Sequence, residues 1–238
     1  MPPRLTFYAW LLAPIALLAY HFGPGQTYLQ RDEAARQIAL AQKAEQQEDW
    51  AGAVHAYALA LNQIPKADTK LRSRVRLAHA KARMYAGEIV EAVGDLKTLL
   101  AEMPDEGGDG GAQDEVRATL GVAEYYTAWL MRLEGAASAE WTPEAETARQ
   151  QFRLLSEDHL ESDEATAKGY QEQLEAAVRL ARLDLSELRG VPLPKFCEGC
   201  KNVSQKCRGQ CESRTGKPGE KPKDARKAGT AERPRGGS

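Results

Sequence analysis

All four cysteines of this 238-residue chain fall within 15 consecutive residues. Cys197, Cys200, Cys207 and Cys211 read C-x2-C, six residues, then C-x3-C. Two close pairs can present four thiolates to one tetrahedral zinc ion. Gly199 and Gly209 ease the tight turns this needs. The positive charges of Lys201, Lys206 and Arg208 favour the thiolate form that binds metal. The same pairs can close two disulfides, the natural state in an oxidising compartment. Spacing alone leans to zinc, although the loop between the pairs is shorter than in common zinc ribbons, and both states stay open. No thioredoxin-like strand pattern surrounds the C-x2-C, which argues against a redox couple.

Little else in the chain has the spacing of a chemical site. His21, His55, His79 and His159 are scattered, and no two stand one helical turn apart as metal ligands would. There is no nucleophile elbow, no phosphate-binding glycine loop and no zinc-protease helix motif. The acids lie along helical patterns, where solvation is the ordinary explanation. Residues 105–111 (DEGGDGG) suggest a calcium loop, but Gly107 and Val116 stand where an oxygen ligand and a glutamate are needed. That stretch reads as a flexible connector. The expectation is a protein that is not an enzyme.

The cysteines are carried by a chain of uneven character. Net charge is -2 overall, yet residues 26–194 carry 19 Lys and Arg against 29 Asp and Glu, while residues 195–238 carry 12 against 5. An acidic body thus precedes a basic tail. Beyond Cys211 no periodic apolar residue remains, so residues 212–238 read as disordered. Their basic charge comes without interleaved aromatics, which argues against nucleic acid as a partner.

At the other end, residues 5–22 hold no Asp, Glu, Lys or Arg and are rich in Leu, Ala and aromatics. As a helix, 18 such residues span about 27 Å, close to one bilayer core. Pro14 is tolerated better in membrane helices than in soluble ones. Tyr8, Trp10, Tyr20 and Phe22 lie toward the interfacial ends. The alternative is a cleaved signal peptide, but Gly23-Pro24-Gly25 makes a poor cleavage site. Residues 1–25 therefore read as an uncleaved single-pass anchor, with the body that follows placed outside the cytoplasm.

Residues 37–65 set the architecture of that body. Ile38, Ala41 and Ala44 recur at helical spacing, as do Trp50, Ala53, Val54, Tyr57, Ala60 and Leu61. Polar residues 46–49 separate the two runs, and Pro65 ends the second. Residues 68–104 repeat the plan: Leu71, Val75, Ala78, Ala82 and Tyr85, a turn at Gly87-Glu88, then Ile89, Ala92, Leu96, Leu99, Leu100 and Pro104. A third unit is degenerate. It has Leu120-Gly121, Tyr125 and Tyr126, then Ala148, Phe152 and Leu155, with residues 132–142 reading as a lengthened turn. Thr142-Pro143-Glu144 reads as the next helix start, with a cap, a first-turn Pro and an acid. Residues 162–188 read as one long helix capped by Ser162. Leu174, Val178, Ala181, Leu185 and Leu188 follow spacings of four and three, consistent with a short coiled-coil seam or, preferably, a solenoid's terminal cap.

These units resemble the tetratricopeptide repeat family. Leu40-Ala41 stands in the family's Leu-Gly slot and Ala44 in its tyrosine slot. Trp50, Ala53, Tyr57, Ala60, Leu61 and Pro65 fill the second-helix slots at family spacing. The step from Pro65 to Pro104 is 39 residues, against about 34 in the family. The resemblance implies a non-catalytic scaffold whose first helices line a concave groove. Carried over by slot, Ile38, Gln42, Glu45 and Gln46 face it from the first unit. Arg74, Leu77, Lys81, Met84 and Tyr85 face it from the second, and Ala118, Val122, Tyr125 and Tyr126 from the third. A basic middle and an aromatic end would suit a protein or peptide partner with an acid and an apolar anchor. The whole reading is an all-α chain: a membrane anchor over residues 1–25, a TPR-like helical-hairpin solenoid over 26–190, a Cys-rich segment over 191–211 and a disordered tail over 212–238. The function it implies is recruitment of a partner near a membrane. The rival is a redox or zinc protein working through the four cysteines.

Overall fold

A computed structural model describes residues 24–103 and 110–190, together with Trp10, residues 12–14, Leu18 and Val203. The four cysteines, most of the expected membrane span and the basic tail lie outside the described residues. Among the described residues every regular element is helical: α1 Pro24–Gln46, α2 Trp50–Gln63, α3 Thr69–Tyr85, α4 Ile89–Glu102, α5 Gly110–Leu133, α6 Ser138–His159, α7 Glu164–Leu180 and α8 Leu185–Gly190. The fold is all-α. No helix among these residues is long and apolar enough to cross a membrane.

Each helix from α1 to α6 packs on the next in sequence, α3 also touches α5, and α8 packs on α5. The three hairpins α1–α2, α3–α4 and α5–α6 turn in the same way. Glu48, Gly87 and Gly135 each adopt positive φ (56°, 87° and 75°). In every turn the next residue's N–H reaches back five residues: Asp49 to Ala44, Glu88 to Arg83 and Ala136 to Met131, each at 2.9 Å. This closure satisfies carbonyls that the ending helix leaves open. Glycine adopts the required backbone at no steric cost, whereas Glu48 adopts it against its Cβ.

The hairpins close on small residues first and large ones later. Ala34 and Ala41 of α1 meet Ala53, Ala56, Tyr57 and Ala60 of α2, and Val75 and Ala82 of α3 seal that cluster. Leu77, Ile89, Leu96, Leu99, Val116, Leu120 and Leu130 then form a wider core through α3, α4 and α5. Each such side chain contributes about 1.5–3 kcal/mol when fully buried. Leu77, expected in the groove, belongs to this core. Of the two aromatics on α2, Tyr57 is buried, whereas Trp50 is only half-buried and stacks on Tyr85 with ring centroids 4.3 Å apart. In the third hairpin Gly121 lets α5 approach α6, since a Cβ there would stand 2.8 Å from the Phe152 ring.

Three local expectations are corrected. The turn between α5 and α6 is short: α6 begins at Ser138, ahead of Thr142, and Pro143 lies inside it. Pro143 is the sixth residue of α6, so the Ala139 carbonyl goes without the N–H that an ordinary residue there would donate. Trp141 therefore lies on α6, under the Arg132 guanidinium at 4.7 Å. The helix expected over residues 162–188 is two helices, and Asp163 rather than Ser162 caps the first, accepting the Thr166 N–H. The break after Leu180 is held by Arg132, which donates to the carbonyls of Leu180 and Leu183. It lets α8 fold back on α5, so that Leu180 and Leu188 both cover Trp129.

Candidate functional site

The first helices of successive hairpins leave a groove of about 600 Å³ between α3, α5 and α7. Met84, Ala118 and Val122 form an apolar floor, with Tyr85 and Tyr170 at its sides. Lys81, Asp114, Glu115, Thr119, His159, Thr166 and Gln173 supply the polar groups. Tyr85 keeps 43% of its surface exposed although Trp50 covers one face. Burial, and then the charge of Asp114, raise the Tyr170 hydroxyl above the ordinary tyrosine value, so it stays a neutral donor.

The groove brings together Lys81, Met84, Tyr85, Ala118 and Val122, five of the residues the sequence pointed to. Arg74 is exposed about two turns earlier on α3, outside the lining. Tyr125 and Tyr126 also lie outside it. They pack with Trp129, at 5.6 Å edge-on for Tyr125 and 5.9 Å stacked for Tyr126. Burial pushes the Tyr125 hydroxyl up to about 12. The expected aromatic end is therefore made by Tyr85 and Tyr170, and α7 was absent from the slot reasoning that placed the others.

The expected basic middle is neutralised. Lys81 Nζ donates to Glu115 Oε1 at 2.6 Å, and His159 Nε2 lies 3.0 Å from Asp114 Oδ2. Both acids come from the first turns of α5. What remains is an apolar trough whose Lys81 and His159 are already engaged by Glu115 and Asp114. Such a trough can seat an apolar side chain and exchange hydrogen bonds with a peptide backbone.

A second constellation lies behind the groove, where α4, α5 and α6 meet. Lys97 Nζ of α4 stands 2.6 Å from Glu124 Oε1 of α5 and 3.4 Å from Glu144 Oε2 of α6. Glu124 has 0% of its surface exposed. The lysine meets it at a poor angle, so among the described residues neither Glu124 oxygen has a well-aligned hydrogen bond. Burial, and then the adjoining Glu144 carboxyl, push the Glu124 carboxyl up to about 8 against the pull of Lys97. Burial opposes charge on Glu144 too, but contact with Glu124 and Lys97 outweighs it and holds that carboxyl below its ordinary value. Sequence reasoning missed Glu124 by treating acids as solvated. The signal was present: Glu124 falls in the i, i+4 row between Leu120 and Ala128, on the apolar face of α5.

Among the described residues no three His, Cys, Asp or Glu side chains are grouped as a metal site. The expected ligands Cys197, Cys200, Cys207 and Cys211 lie outside them. One residue of their segment is described. Val203, between Cys200 and Cys207, is buried in the α3–α4–α5 core, and its N–H donates to Glu134 Oε1 at 2.9 Å. No protein-family model, curated protein or solved structure matches this chain.

Proposed function

We propose that this protein is a non-enzymatic scaffold of the tetratricopeptide type that captures a segment of another protein in the groove between α3, α5 and α7. The observation that carries the reading is that groove: apolar along its floor, open to solvent, and framed by the first helices of successive hairpins. The identical closure of three hairpin turns and the close approach at Gly121 support the repeat assignment. The partner is an extended or helical segment with an apolar anchor seated over Met84 and Val122. The apolar segment over residues 1–25 would hold the scaffold at a membrane as a single-pass anchor, with its body outside the cytoplasm. Trp10, Leu12 and Leu18 are exposed on the protein and would leave water on entering lipid.

Thr119→Arg puts a long charged side chain into the trough while keeping a good helix former on α5. Affinity capture by the full chain from detergent-solubilised membranes should lose its specific partner, with binding weakened by about tenfold or more. Gln150→Arg, on the exposed side of α6, should leave capture intact. Equal capture by both variants would remove the groove from the account.

The docking of Val203 favours a second reading, in which the four cysteines do the work and the repeats serve as their platform. Thiol titration of the denatured protein with and without reductant, combined with metal analysis, decides among zinc, two disulfides and four free thiols. Four free thiols without metal would leave only a reactive cysteine site.

A further inference from the structure

The α4–α5–α6 junction sets one fully buried carboxyl beneath a second carboxyl and an ammonium that both reach solvent. Glu124 is fully buried, and Glu144 and Lys97 close over it from the neighbouring helices. Two carboxylates and one lysine leave an unbalanced negative charge beside Glu124, which water does not reach, and that is costly. Holding one proton between the two carboxyls removes that charge. We infer that the junction is a proton-dependent brace, in which a proton shared by Glu124 and Glu144 over Lys97 acts as a structural ligand whose loss loosens the packing of α4, α5 and α6.

The groups facing Glu124 are few. From α4 comes Lys97 and from α6 comes Glu144; both act on it directly. One turn before Glu144, Glu140 has a buried oxygen without a hydrogen-bond partner. From α3, Lys81 meets α5 at Glu115, nine residues or about 13 Å up the helix. On α8, Glu187 accepts the Asp184 N–H and Arg189 is exposed. At the far end of α5, Glu134 is taken by the Val203 N–H. The charge balance at Glu124 is thus set by Lys97 and Glu144.

The linkage has a definite sign. The folded junction keeps its proton up to about pH 8, whereas a free glutamate releases it near 4.3. Between those values the folded state binds one more proton than the unfolded state, so stability falls as pH rises. The limiting slope is close to a tenfold rise in the unfolding equilibrium constant per pH unit.

The test is urea unfolding of the full chain and of Glu124→Gln at intervals from about pH 5.5 to 7.5, read as the difference between the two. The difference cancels other titrations, such as the half-buried His79. Wild type should lose stability relative to Glu124→Gln across this range, approaching that limit. Infrared spectra at neutral pH should show a protonated carboxyl band that Glu124→Gln lacks. Should Glu124→Gln not fold, Glu144→Gln serves, because it leaves one carboxylate with one lysine and should also flatten the profile. A difference that does not change with pH, or the absence of the protonated carboxyl band, would overturn the proposal.

Discussion

Replacing Gly121 by alanine tests the packing that defines the third hairpin. In a helix interior, glycine to alanine ordinarily stabilises by about 0.8–1 kcal/mol, because glycine loses more backbone entropy on folding. Here the added Cβ would stand 2.8 Å from Phe152 Cε1 and 2.9 Å from Cζ. The ring cannot swing away cheaply: it is 2% exposed and packed among Ala148, Ala177, Val122, Tyr125, Tyr170 and Leu174. Overpacking of this kind costs about 1–3 kcal/mol. The two terms leave a net loss of about 1 kcal/mol. Gly94 is the internal control. It lies within α4 with nothing inside 4 Å of its absent Cβ, so Gly94→Ala should gain close to 1 kcal/mol. Urea unfolding of both variants isolates the contact, since the propensity term is common to them. Phe152→Leu should soften the penalty at residue 121, giving a coupling energy in the double-mutant cycle. Equal gains from Gly121→Ala and Gly94→Ala would refute the close approach of α5 and α6.

Three further outcomes follow from particular residues. Glu48→Gly should stabilise the chain by about 1 kcal/mol, since Glu48 alone of the three turn residues bears a Cβ in the left-handed region; a loss in thermal unfolding would contradict this. Lys97→Ala should cost about 2 kcal/mol near pH 8, discounted for the half-exposed lysine, and less near pH 5, where protonation relieves the stranded carboxyls; denaturant midpoints at the two pH values check it. The protein should fractionate with membranes and retain residues 1–25, and N-terminal sequencing that began near Gln26 on a soluble product would overturn the anchor.

The helical hairpins could be read in advance because their information is local. Apolar residues at three- and four-residue spacing, Pro65, and the Gly87 turn each act within a few residues. The break after Leu180 could not be read so. The apolar spacing from Leu174 to Leu188 continues smoothly, and what marks the end of α7 is Arg132, donating to the carbonyls of Leu180 and, just beyond the helix, Leu183 from about fifty residues away. The start of α6 was missed because Thr142-Pro143 is a good local start signal, and packing of Trp141 beneath Arg132 accompanies an earlier start. In the groove, α3 residues were found by slot, but charge was misread. Lys81 looked free on its own helix, and its partner Glu115 arrives 34 residues later from α5. Tyr125 and Tyr126 failed as groove residues because an aromatic on a first helix can pack sideways onto Trp129 as readily as face the trough.

The central proposal is capture of a protein segment between α3, α5 and α7. Its most direct test is a photo-crosslinking residue placed singly at Thr119 or Gln173, which line the groove, or at Gln150, which does not, in the full chain inside its native cells. The account predicts that Thr119 and Gln173 give the same discrete protein adduct and that Gln150 gives none. Absence of an adduct from both groove positions, or the same adduct from Gln150, would contradict it.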